Sequence, residues 1–370
     1  METACSSPSE FKCRDSGSAR PPPAVDAAVV RVVSRRMHLC GQILWQACCY
    51  AVCAAAFAAS QAAAFVPAMA LSMVGMAFVM AFNFMALHET VHRSAFKSRI
   101  WNDVFMQVAG LLTLRPVSCA LPCLLHAPRV HTRALPSPAS AFAPRLSAAA
   151  LQALHYFYYH WAHHKFTGDP EKDSELIPSP LDMDVTTITG YFLYVSGLPF
   201  WFDAVTSTVK HAMGICPEHY LSAAKAKKEI TTEARIYCAF YLALAAGAVL
   251  NPAFGAGLLT YVVLPSVLGQ PFLRFYLMAE HRGCAESTNV LENTRTMETN
   301  WLIRQMAWQM PYHLEHHAWP YVPFHKLEEA NKLVVASGGW SKDSCAPTGE
   351  QGYVGLNQKV VQKLFIKATK

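Results

Sequence analysis

One uncharged stretch decides the fold: LCGQILWQACCYAVCAAAFAASQAAAFVPAMALSMVGMAFVMAFNFMAL, residues 39–87, contains no Asp, Glu, Lys or Arg. As a single helix, its 49 residues would be about 73 Å long. The hydrocarbon core of a bilayer is only about 30 Å thick. We therefore predict two membrane-spanning helices that turn between Ser60 and Pro67, the second leading directly into His88.

A second uncharged stretch, residues 236–273, is 38 residues long and is also sufficient for two spans. Asn251-Pro252 and Gly255 provide a turn signal between them. Two weaker apolar stretches, 104–117 and 185–202, are too short or too interrupted to span, and we predict interfacial helices there. The predicted fold is an all-α integral membrane protein with four transmembrane helices and a helical cap.

The composition agrees with this fold class. Hydrophobic residues make up 53% of the 370-residue chain and charged residues 15%, whereas a soluble domain carries roughly 25% charge. The net charge is +6, and the basic residues are spread over loops and both ends of the chain. This distribution argues against nucleic acid as a partner. Basic residues flank the predicted spans on one side of the membrane. The positive-inside rule therefore places that side, and with it the cap, in the cytosol.

Three regions follow from these patterns. We predict a disordered N-terminal tail at 1–37, a membrane domain at 38–335 and a C-terminal tail at 336–370. Within the membrane domain, about 117–153 is anomalous, because it is rich in Pro, Ser and Ala without a helical or strand period. A long structureless loop is unusual inside a compact unit. We interpret it as an unspliced stretch of coding sequence, with a species-specific loop as the alternative.

Histidines provide the strongest functional signal. Eight of the sixteen lie in three clusters. They are His88 and His92 in HETVH, His160, His163 and His164 in HWAHH, and His313, His316 and His317 in HLEHH. Spacings of three and four place side chains on one face of a helix. Eight imidazoles are too many for one tetrahedral zinc, so we predict two metal ions, and a set without thiolate is compatible with non-haem iron.

These motifs resemble the three histidine boxes of the membrane fatty acid desaturase family. The flanking stretches YYHWAHHKFTGDPEKDSEL and ENTRTMETNWLIRQMAWQMPYHLEHHAWPYVPFHKL are also similar to it. The resemblance covers about 39–117 and 154–335. It implies two iron ions held by the box histidines, O2 as co-substrate and a fatty acyl substrate. It also implies His281 as a ninth ligand, because the family often has a further histidine after the fourth span.

Desaturation with O2 takes two of the four electrons that reduce O2 to water from the acyl chain, so two further electrons must come from outside the protein. The sequence has no His-Pro-Gly-Gly cytochrome b5 motif and no GxGxxG at the start of a helix. We therefore expect an external donor, cytochrome b5 or ferredoxin. We expect a multi-pass membrane protein that lies in the endoplasmic reticulum rather than the plastid. Its metal site is expected on the cytosolic face.

Alternative functions remain open at this stage. A lipid or carotenoid hydroxylase or ketolase of the same superfamily would use the same boxes. HETVH also matches the HExxH motif, in which Glu89 would be the general base of an intramembrane zinc protease, and a non-enzymatic metal carrier is a third alternative.

Acids beside the boxes are candidates to orient histidine N–H groups: Glu89, Asp169, Asp173 and Glu315. The remaining histidines, His155 and His211 among them, are left outside the predicted site.

Overall fold

The computed structural model describes residues 26, 29, 39–112, 152–176, 184–285, 287–337 and 352–368. Most of these residues are helical, with no strand among them. Four helical segments are long and apolar enough to cross a membrane: Gly41–Ala62, Val66–Val91, Ala224–Leu250 and Pro252–His281. The predicted all-α fold with four spans is confirmed. Residues 117–151 of the anomalous segment at about 117–153 lie outside the described residues. Most of 1–37 and much of 336–370 lie outside them as well.

The first pair of spans turns where the sequence predicts. Helix α1 is Leu39–Ala62 and α2 is Val66–Phe82, with Pro67 in the first turn of α2. After a break at Asn83, α3 (Phe84–Val91) continues the second span. This span therefore delivers the first histidine cluster at its end.

The second pair packs against the first. Helix α8 is Ala224–Leu250, and Asn251 caps α9 (Pro252–Leu258) by accepting from the Phe254 N–H. A π-helical turn at Leu259–Val263 joins α9 to α10 (Leu264–His281). A side chain at Gly269 would lie 2.5 Å from the Ala77 carbonyl oxygen, so glycine permits the close approach of α10 to α2.

Shorter helices form the cap. They are α4 (Arg99–Leu112), α5 (Ala153–Phe166), α6 (Ile188–Ser196), α7 (Leu198–Ala212), α11 (Val290–Asn293), α12 (Trp301–Met306), α13 (His313–Ala318) and α14 (Leu327–Ala336). Helices α4, α6 and α7 cover much of the two weaker apolar stretches, and their interfacial position stays a prediction. A last helix, α15 (Gly352–Ala368), packs on α10, where Tyr353 stacks on Tyr276 at 4.8 Å between ring centroids.

Candidate metal centre

The first histidine cluster of the sequence occupies the last turn of the second span. Leu87 and Val91 are buried in an apolar cluster with Met106 and Tyr156, and this packing fixes the rotation of α3. His88 and His92 project from another side of α3, and both are buried. The spacing of four residues brings the two rings to 5.4 Å between centroids.

The second cluster lies on α5, which packs against α3 and α4. His160 Nε2 lies 2.9 Å from His92 Nε2, and His164 Nε2 lies 3.0 Å from His160 Nε2. His163 projects from a different side of α5, with its ring 5.0 Å from that of His281. One helix therefore faces two different groups of histidines.

The third cluster lies on α13, a helix of only six residues. Its central acid, Glu315, accepts hydrogen bonds from Asn331 Nδ2 at 2.7 Å and from the Thr296 hydroxyl. These bonds fix α13 between two other segments of the cap. His316 then lies beside the first cluster, with its ring 4.5 Å from that of His92.

The predicted residues assemble into two adjoining groups, here called site 1 and site 2. Site 1 contains His88, His92, His160 and His316, whose ligand atoms all lie within 4.8 Å of one another, and His164 joins it through His160.

Site 2 contains His163, His281 and His317 within the same limit. His313 joins it, because its Nε2 lies 3.1 Å from Nε2 of both His281 and His317. The rings of His164 and His317 stack at 4.2 Å and connect the two sites. All nine histidines predicted from sequence are thus brought together.

Burial keeps most of these imidazoles neutral. Desolvation, reinforced by neighbouring imidazoles, lowers the pKa of all but one of the histidines of both sites that lie outside the spans. Those with a lowered pKa are His92, His160, His164, His313, His316 and His317. The exception is His163, where burial lowers the pKa but the carboxylates of Glu175 and Asp173 outweigh it and raise the pKa to about 9. Neutral imidazole is the form that binds a transition metal.

The donor set fits two transition-metal ions. Two nitrogens at about 2.1 Å from one metal and at right angles would lie about 3 Å apart, and the observed Nε2–Nε2 separations are 2.9–3.1 Å. Among the described residues, neither nitrogen of the fully buried His316 has a hydrogen-bond partner. A buried polar atom without a partner is costly, and a metal ion would remove that cost.

Two histidines of site 2 are oriented through their other nitrogen. His163 Nδ1 lies 2.9 Å from Asp173 Oδ1, and His281 Nδ1 lies 3.1 Å from the Asn293 carbonyl oxygen. Such partners hold the ring and leave Nε2 for a metal. Asn293 carried no sequence signal, because its contribution is a backbone oxygen.

The other candidate acids have different roles. Asp169 pairs with Lys172 at 3.2 Å in a loop. Glu89 accepts from the Ser94 hydroxyl at 2.8 Å and from the Phe324 N–H at 3.2 Å, so it joins α3 to the segment after α13. This engagement does not favour Glu89 as the free general base that an HExxH protease requires.

A third group of ligand-type side chains lies outside both sites. His155, His211 and Glu218 have ligand atoms within 4.8 Å of one another. Sequence reasoning left both histidines out, because neither belongs to a box. No spacing signal could have found the group, since its members are 56 and 7 residues apart along the chain.

Comparisons with known proteins agree with this arrangement. A sequence model of the family described as "Fatty acid desaturase" matches residues 125–344, a range that includes His281 and the second and third boxes. The chain is also similar to dihydrorhizobitoxine desaturase of Bradyrhizobium elkanii, with 28% identity over 206 residues. That alignment covers 50% of this chain and 56% of the relative, so the chain spans about half the relative's length.

Proposed function

Because the chain belongs to the fatty acid desaturase family, we propose that it is a membrane enzyme that desaturates a fatty acyl chain at a di-iron centre with O2. Two electrons come from an external donor, cytochrome b5 or ferredoxin. The observation that carries the proposal is the convergence of nine buried or half-buried histidines from four helices into two adjoining sites.

Each site holds one iron ion in this proposal. The ligands are His88, His92, His160, His164 and His316 in site 1, and His163, His281, His313 and His317 in site 2. When bound, the two irons supply with O2 the oxidant that no side chain can provide for an unactivated methylene. The ligands' own task is to present a lone pair in a fixed orientation. Burial favours the neutral form of the histidines other than His163, and the Asp173–His163 contact orients the His163 ring.

Placement beside the bilayer suits an acyl substrate. His88 lies in the last turn of the second span and His281 is the last residue of the fourth. A chain that enters from the lipid can therefore reach the site along α2 and α10. The surrounding burial excludes water, which would otherwise quench a strong oxidant. With the positive-inside rule, we place this end on the cytosolic face, in the endoplasmic reticulum.

Lipid analysis of cells that express the chain tests the proposal. We expect an acyl product that is lighter than its precursor by two hydrogen atoms. The product should be absent with His316→Ala and present with the control His219→Ala, which changes an exposed residue outside both sites. A product heavier by one oxygen atom, with no lighter one, would contradict desaturation and identify the hydroxylase alternative.

Metal analysis of the detergent-purified protein is an independent test. With iron and zinc both supplied, we expect roughly two irons per chain, as two separate ligand groups require. An active preparation with one zinc and no iron would contradict the di-iron proposal.

A further inference from the structure

The third group of ligand-type side chains joins three separate segments of the cap. His155 lies in the first turn of α5, His211 lies in the last turn of α7, and Glu218 precedes the short 3-10 turn His219–Leu221. Both histidines are fully buried, and the side chain of Glu218 is 12% exposed. None of the three contributes to site 1 or site 2.

The hydrogen-bond directions around His211 can be deduced. Gln152 Nε2 donates to the Ile230 carbonyl oxygen at 2.8 Å, and this contact sets the orientation of the amide. Gln152 Oε1 therefore faces His211 Nδ1, at 2.6 Å. Since an amide oxygen only accepts, Nδ1 must carry a proton and donate it.

The other nitrogen of His211 then faces a second acceptor. Its Nε2 lies 2.9 Å from Glu218 Oε1, and the same oxygen lies 3.9 Å from His155 Nε2. A neutral imidazole protonated at Nδ1 presents a lone pair at Nε2, so it would meet the carboxylate with no hydrogen between them. The contact therefore needs either a second proton, on His211 or on Glu218, or a metal ion among the three side chains.

Tyr220 also contacts this group, and its hydroxyl lies 2.9 Å from His155 Nε2. Two imidazoles and one carboxylate form a donor set that zinc uses when a fourth position is left for water.

We propose that His155, His211 and Glu218 bind one zinc ion at a site separate from the nine-histidine centre. The Gln152 amide oxygen would hold the His211 ring, as outer partners of metal-bound imidazoles do. The ion clamps α5, which carries the second histidine box, to α7 and to the segment before α8.

Zinc counting on the full chain tests this proposal without any activity assay. Detergent-purified wild-type protein and variants are stripped with a chelator, saturated with Zn²⁺ alone and analysed for zinc per chain. We expect His211→Ala and Glu218→Gln each to bind one zinc fewer than wild type. His219→Ala, which removes an exposed histidine next to Glu218, should bind as many as wild type.

The difference between variants isolates this site, because the substitutions leave all nine histidines of sites 1 and 2 in place. Loss of one zinc per chain therefore identifies this site, whereas disruption of sites 1 and 2 as well would cost more than one. Glu218→Gln keeps the shape and hydrogen-bonding capacity of the side chain, so it decides the question if His211→Ala does not fold. Equal zinc content in wild type and Glu218→Gln would overturn the proposal. A proton between His211 and Glu218 would then account for the short contact in place of a metal ion.

Discussion

Replacing Glu233 by alanine should destabilise the helix that carries the second histidine box. Glu233 is a buried residue of α8, and its Oε1 accepts from the Leu154 N–H at 2.8 Å and from Gln107 Nε2 at 2.7 Å. Leu154 lies in the first turn of α5, where backbone N–H groups have no acceptor within the helix. Gln152 precedes α5 but its side chain does not cap it. The third span therefore supplies the cap.

The magnitude follows from the two donors that would lose their acceptor. Both hydrogen bonds are half-buried, and the loss of one such bond costs about 0.5–1.5 kcal/mol. The two together give about 1–3 kcal/mol of lost stability. At about 2 °C per kcal/mol, the melting temperature should fall by about 2–6 °C. Iron content should fall as well, because α5 carries His160, His163 and His164.

Thermal unfolding of the metal-loaded protein in detergent measures this effect. The control is Lys228→Ala, about one turn earlier on α8, where the side chain is exposed. Removal of an exposed surface charge should change stability by less than about 1 kcal/mol. If both variants melt at the same temperature, the reasoning about the cap is refuted.

Three further substitutions test the metal centre. His316→Ala should abolish product formation and lower the iron content, while the amount of protein in the membrane fraction stays near that of wild type; normal turnover would refute the ligand role. Asp173→Asn should weaken metal binding by about 10–100-fold, because it alters the partner that orients His163, whereas Asp169→Asn in the nearby loop should not. Glu89→Gln should keep its iron and most of its activity, since the amide oxygen can still accept from the Phe324 N–H; complete loss of activity with intact iron would favour a catalytic role for this residue.

The spans could be predicted because their cause lies within short stretches of sequence. An uncharged run of 49 residues has few alternatives to two membrane helices, and Asn251-Pro252 fixes the second turn whatever surrounds it. The helices α6 and α7 were less evident, because their apolar stretch is interrupted. Helix α15 was not predicted at all, since its support comes from Tyr276 and Phe275 on α10, about 80 residues away.

The sequence identified the histidines that the fold brings together, but it could not predict their contacts. Box spacing places histidines on one helix face, and this depends only on local geometry. The partners of the ring nitrogens depend on tertiary structure instead: Asp173 lies in the loop after α5, and the carbonyl of Asn293 lies on a segment that follows α10. For the same reason the group of His155, His211 and Glu218 becomes visible only in the folded chain.

The division of histidines between the sites gives a physical reason for the HxxHH spacing. On α5, the residues four apart, His160 and His164, belong to site 1, and the residue between them, His163, belongs to site 2. On α13 the assignment is reversed, with the pair four apart in site 2 and His316 in site 1. Residues four apart differ by only about 40° around a helix, whereas the residue three after the first lies about 60° to the other side. Helices α5 and α13 thus each supply a pair of histidines to one site and a single histidine to the other, so neither site can form fully unless both helices are in place.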